Sequence, residues 1–165
     1  MRWGLAIVMF FVACHAGGEY TPGESRIVHG DVDKGETNGR MFDFVSDKPD
    51  DDDWQIRIRG TTIWASYSHG KKSDDLGTKT LSSKEADKVW ELVDALDLPS
   101  RKGGKKDEDN GTVTLRLREP GDEDGDRHTI FTVYVSRDTE DDDVIALGTY
   151  LRKLVDQHFK ETPNF

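Results

Sequence analysis

The chain has 165 residues, 33 acidic against 23 basic, for a formal net charge of -10, and 34% of them are hydrophobic. With a mean hydropathy of -0.73, this excludes a protein that crosses a membrane many times, and the acidic balance excludes a nucleic-acid binder that works through overall positive charge. Twelve of the first fourteen residues are apolar, so the remainder carries enough apolar surface for one small core.

The N-terminus reads as an address. Arg2 is followed by the uncharged run Trp3 to Ala13, too short to span the ~30 Å hydrocarbon core as a helix. A positive start, a short apolar run and small residues form the pattern of a secretory signal. Cys14, the single cysteine, closes that run in Phe11-Val12-Ala13-Cys14-His15. These residues resemble the lipobox of bacterial lipoproteins, with Phe11 where leucine is usual. The resemblance implies that Cys14 is lipidated and becomes the mature N-terminus; the other reading is an ordinary signal cut after Ala16. Either cut leaves no pair of cysteines to form a disulfide, so the core alone must stabilise the fold.

Residues 15–40 contain six glycines and only Ala16, Tyr20, Ile27, Val28 and Val32 as apolar groups. Such a stretch buries too little surface to offset its ordering entropy and reads as a flexible tether. Met41 to Val45 is expected as a short edge strand before the acidic turn at Asp50 to Asp53. From Trp54 to Ser68 a two-residue turn at Gly60-Thr61 pairs Arg59 with Thr62 and Ile58 with Ile63. One face then carries Trp54, Ile56, Ile58, Ile63, Ala65 and Tyr67, and the other Gln55, Arg57, Arg59, Thr62, Trp64 and Ser66. A shift of one residue destroys this separation, which fixes the register.

Residues 69–80 read as a polar loop. Ser82-Ser83-Lys84-Glu85 has the form of a capping box, and Ala86, Val89, Trp90, Val93 and Leu96 recur at helical spacing until Pro99. A charged loop from Lys102 to Gly111 precedes a strand in which Val113, Leu115 and Leu117 alternate with Thr114, Arg116 and Arg118. After an acidic turn, Thr129 to Ser136 forms its partner, with Phe131, Val133 and Val135 on one face and Ile130, Thr132 and Tyr134 on the other, and the pattern leaves open which of the two is buried. Asp138 or Thr139 is positioned to cap a second helix bearing Val144, Leu147, Leu151, Leu154 and Val155.

The expected fold is an α+β two-layer sandwich in ββαββα order, an antiparallel sheet of four to five strands with two helices on one face. The expected organisation is a signal peptide over 1–14, the tether over 15–40, one α+β domain over 41–160 and a tail over 161–165. No motif ties the chain to a named domain family.

The search for chemistry is mostly a sequence of exclusions. His29, His69, His128 and His158 stand singly, without the i, i+4 spacing that sets two zinc ligands on one helix face. Ser68-His69 lacks a nucleophile elbow, and adjacent strand residues point to opposite faces. The run Asp122 to Asp126 offers carboxylates at alternate positions. An EF-hand counted from Asp122, however, puts Arg127 where glycine is needed and Val133 where glutamate is needed. Gly103-Gly104 lacks the pattern of a phosphate loop. No cofactor, catalytic residue or metal ligand is therefore expected.

What remains is the helix-free sheet face, carrying Arg57, Arg59, Trp64, Arg116, Arg118 and Tyr134. Arginine and aromatic side chains are the types that dominate binding hot spots. The expected function is noncatalytic: a lipid-anchored protein of the bacterial cell envelope, binding an envelope protein or an anionic polymer through this face. The alternatives are a small-ligand or cation-binding periplasmic domain and an enzyme with a dispersed carboxylate and histidine site. An ordinary signal instead implies a secreted or soluble periplasmic protein.

Overall fold

The computed structural model describes residues 39–49, 52–70, 72–120 and 129–165. The signal segment with Cys14, the acidic run 122–126, His29 and His128 lie outside the described residues, as does the tether except for Gly39 and Arg40. Six strands form one antiparallel sheet: β1 (Met41–Asp47), β2 (Asp53–Arg59), β3 (Thr62–His69), β4 (Lys72–Thr80), β5 (Thr112–Glu119) and β6 (Thr129–Ser136). Helix α1 (Ser83–Ala95) lies between β4 and β5 in the chain, and α2 (Asp142–Phe159) follows β6. The spatial order is β4-β3-β2-β1-β5-β6.

The α+β class and the antiparallel sheet agree with the expectation, and two of its details are corrected. The sheet has six strands rather than four or five, and the order is ββββαββα rather than ββαββα. Residues 72–80, read as loop, pair with β3 as the edge strand, with a register shift between Ala65 and Ser66. Met41 to Val45, read as a short edge strand, belongs to β1, which lies in the interior between β2 and β5. Its Phe42 and Phe44 are buried in the core, so placing this strand at the edge would leave much of that apolar surface uncovered.

The hairpin of β2 and β3 has the expected register, Arg59 opposite Thr62 and Ile58 opposite Ile63. Gly60 supplies the positive φ, +50°, that a tight turn of this kind demands. Alternation then sends Trp54, Ile56, Ile58, Ile63, Ala65, Val113, Leu115, Leu117 and Val133 into one core with Phe42 and Phe44. The helices close that core with Ala86, Val89 and Val93 from α1 and Val144, Leu147, Leu151, Leu154 and Val155 from α2. Gly148 on α2 faces Phe44, whose ring lies 3.8 Å from where a Cβ at this position would sit, an ordinary contact distance.

Helix α1 starts with the expected capping box: Ser82 accepts from the Glu85 N–H, and the Glu85 carboxylate accepts from the Ser82 N–H at 2.8 Å. Trp90 is half-buried at the side of the core, and its indole N–H donates to the Gly60 carbonyl at 2.9 Å. The Arg40 guanidinium lies 4.8 Å from the Trp90 ring centroid and also pairs with Asp94 and Glu119. Arg40 thus lies against the domain. Trp90→Ala is expected to destabilise by about 2 to 3 kcal/mol, below the 3 to 5 kcal/mol of a fully buried Trp. Trp90→Phe, which keeps a ring and loses the hydrogen bond, is expected to cost about 1 kcal/mol. Urea unfolding of both variants checks the difference.

For α2 the structure corrects the cap. Asp141, rather than Asp138 or Thr139, is the N-cap residue, accepting from the Asp143 and Val144 N–H groups at 3.2 Å each. Arg101 pairs with Asp141 and lies 3.6 Å from Asp143, tying the segment after α1 to the start of α2. Residues 103–111 seal part of the outer edge of β6, as the Tyr134 N–H donates to the Gly103 carbonyl and the Arg137 N–H to the Gly111 carbonyl. Gly104 adopts φ +70° directly against the Tyr134 carbonyl, where a Cβ would collide with backbone. Gly104 therefore has a packing reason to be glycine.

Candidate functional site

Side-chain alternation places the expected residues on the face opposite the helices, in rows that cross the sheet. One row runs Trp64, Arg57, Asp43, Arg116 and Thr132 from β3 to β6. The next runs Thr62, Arg59, Met41, Arg118 and Ile130. A third brings Gln55, Val45, Thr114 and Tyr134 into line. Arg57, Arg59, Trp64, Arg116, Arg118 and Tyr134 therefore share the sheet face opposite the helices. Four of them form two arginine ladders, one on each side of β1.

The residue that sequence reasoning missed is Asp43. It lies on this face at 3% exposure, with Arg57 on one side and Arg116 on the other. Arg57 grips it with both arms of its fork, Nε to Oδ1 at 2.6 Å and Nη2 to Oδ2 at 3.2 Å. Burial raises the Asp43 carboxyl above its usual range, while the hydrogen bond and charge of Arg57 and the charges of Arg116 and Arg118 pull it down. Met41, flanked by Arg59 and Arg118, is also buried on this helix-free face. Arginine stems are long enough to cover such apolar neighbours while the guanidinium stays at the surface.

The aromatic members are held from the side. The Trp64 indole N–H donates to Asp75 at 2.9 Å, and Asp75 also accepts from the Gly77 N–H beside the bulge. Lys106 lies 5.7 Å from the Tyr134 ring centroid. Neither Asp75 nor Lys106 was visible as a neighbour in the sequence, because one lies in the strand read as loop and the other in a loop with no periodicity.

Other polar clusters are explained by the architecture. His158 is half-buried, with Nε2 3.1 Å from a Glu85 oxygen that also accepts from Gln157. The pair joins the start of α1 to the end of α2. His69 reaches Asp52 at 2.6 Å on the surface. Asp107 accepts from the Asn110 N–H and the Ser136 hydroxyl, which pins the loop to the end of β6. Among the described residues no group of three or more His, Cys, Asp or Glu could hold a metal ion. No helix among them is long and apolar enough to cross a membrane.

Two of these clusters contribute to the acid response. Hydrogen bonds from the Ser82 hydroxyl and N–H pull the Glu85 carboxyl from 4.5 to about 2. Those from Asn110 and Ser136 pull Asp107 from 3.8 to about 2. Both carboxyls are depressed on folding, so their contribution is present above pH 4.5 and is lost as pH falls toward about 2. Replacing both, by Glu85→Gln and Asp107→Asn, is expected to lower the melting temperature at pH 6 and to flatten its fall between pH 4.5 and 2. An equally steep fall in the double variant contradicts the assignment.

No protein-family model matches the chain, and no curated protein matches it either.

Proposed function

We propose that the chain is a noncatalytic binding domain of the bacterial envelope, anchored through a lipid on Cys14, and that the arginine-bearing sheet face receives an anionic partner. One observation carries the reading. Among the described residues, the two rows that cross the middle of the face set four arginines, on β2 and β5, around the carboxylate of Asp43. A protein with a net charge of -10 that concentrates arginines on one sheet face gains local attraction for anions that its overall charge would repel. Arginine also suits the role chemically, because its planar fork takes a carboxylate or phosphate through two hydrogen bonds.

Crosslinking in the native envelope tests the reading. Wild type is expected to capture a partner that the Arg116→Gln, Arg118→Gln, Trp64→Phe variant does not, at equal melting temperature. Arg57 is left in place because it holds Asp43. Equal capture by both proteins removes the sheet face from the account. Cys14→Ser is expected to shift the chain from the membrane to the soluble fraction, and an unchanged distribution removes the lipid anchor.

A further inference from the structure

We propose that the core side of the sheet, where β1 ends and β2 begins, is a binding site for a small aromatic carboxylate, and that Phe165 is its occupant within the chain. The site lies across the sheet from the arginine rows and stands independently of the reading given for them. Ser46 and Trp54 are cross-strand partners here, 0% and 3% exposed. Helix α2 ends at Lys160, which takes the left-handed conformation with φ +63°. The segment that follows packs on the core through Phe165, with Pro163 buried. The Phe165 ring meets Phe44 at 4.8 Å and Trp54 at 6.3 Å between centroids, and the Arg152 guanidinium lies 5.6 Å from its centre. Arg137 donates to the neighbouring Asn164 carbonyl.

Four side chains of this cluster carry buried donor groups with no hydrogen-bond partner among the described residues: the Ser46 hydroxyl, Trp54 Nε1, Arg137 Nη1 and Arg152 Nε. Buried polar groups are nearly always paired, so such a group at one end of a core calls for an acceptor. Three of the four can only donate, and two of those belong to guanidinium groups, a set that suits an anion. The walls suit a flat apolar body, because Tyr67 stacks on Trp54 at 4.9 Å and Phe44 lies on the other side of Phe165. A ligand ring takes the place of the Phe165 ring, and its carboxylate accepts from the donors that Phe165 leaves unpaired. Arg137 shares its charge with Asp53, which makes Arg152 the cation to test.

Calorimetric titration of the full chain with 1-naphthoate and with its neutral isostere 1-naphthamide tests the proposal. Phe165→Ala is expected to bind naphthoate about tenfold tighter than wild type, and naphthamide about tenfold more weakly than naphthoate. Adding Arg152→Gln is expected to erase the preference for the anion, at unchanged near-ultraviolet circular dichroism. Should Phe165→Ala fail to fold, the two compounds on wild type and on Arg152→Gln decide alone. The sheet-face variant Arg116→Gln, Arg118→Gln is expected to bind naphthoate as wild type does. A loss of affinity in that variant moves the binding to the arginine rows and overturns the site. Equal affinity for the two compounds, binding of neither, or a Phe165→Ala affinity no higher than that of wild type also overturns it, and none of these three results bears on the sheet face.

Discussion

Replacing Arg57 with alanine is expected to destabilise the protein by about 3 to 5 kcal/mol at neutral pH, the usual loss when one partner of a buried ion pair is removed. Asp43 is 4% exposed at its side chain and Arg57 11%, so little solvent reaches the pair to screen the loss. The two hydrogen bonds from Arg57 are the direct contacts that hold the carboxylate, while Arg116 and Arg118 act on it by charge. Burial already raises the Asp43 carboxyl above its usual range, and Arg57 is the strongest influence opposing that rise. Without Arg57 the carboxyl rises further.

The sign of the pH dependence follows. A group whose folded pKa is raised supports the fold fully below its unfolded value, near 3.8, and loses that support as pH climbs through the folded value. The deficit of Arg57→Ala is therefore expected to be larger at pH 7 than at pH 4. Adding Asp43→Asn is expected to recover most of it at pH 7, since the buried charge is gone. Urea unfolding of the single and double variants at both pH values measures this coupling directly. A single-variant loss below about 1 kcal/mol would mean that Asp43 is not held as described.

The second large effect is expected at Phe44. Truncation to alanine should cost about 3 to 5 kcal/mol, as for a fully buried aromatic residue whose cavity cannot collapse. Phe44 is 2% exposed on the interior strand β1, lies between Ile56 and Leu115 in register, and contacts the ring of Phe165 at 4.8 Å between centroids. Phe165, in the segment the sequence assigns to a tail, stands edge-on to Trp54 as well, at 6.3 Å. Its partial exposure predicts a smaller loss for Phe165→Ala, about 1 to 2 kcal/mol. A domain of this size has only about 5 to 15 kcal/mol of total stability, so the Phe44 variant should melt far below wild type. A loss near 1 kcal/mol would place β1 at the periphery, as the sequence suggests.

The difference between β1 in the sequence and β1 in the fold is instructive. Met41 to Val45 is a short apolar run with one aspartate inside it, and nothing local distinguishes an interior strand from an edge one. Its partner β5 is some seventy residues away in the chain, so the arginines that make Asp43 tolerable are invisible at short range. The β2–β3 hairpin was legible because strict alternation and a glycine turn agree on one register. Strand β4 was not, since its residues are exposed on both faces apart from Leu76 and Gly77. Charges on both sides of an edge strand protect it from pairing with other chains, and they also remove the alternation by which a strand is read.

The arginine and aromatic members of the site were legible for the same reason as the hairpin. The arginines and Trp64 lie on strands whose inward residues are plainly apolar, so their outward set follows by elimination, whereas the strand of Tyr134 carries apolar residues on both faces. The organising carboxylate, the Asp75 acceptor of Trp64 and Lys106 over Tyr134 depend on contacts between strands and loops distant in sequence.

The helix-free face is proposed as a receptor for an anionic partner. Retention of the full chain on immobilised polyglutamate across a salt gradient tests it most directly, comparing wild type with the Arg116→Gln, Arg118→Gln variant at matched melting temperatures. Wild type is predicted to be held at low salt and released as the Debye length shrinks below about 8 Å near physiological ionic strength, while the variant passes through unretained. Equal retention of both proteins, or retention of neither, would contradict the claim.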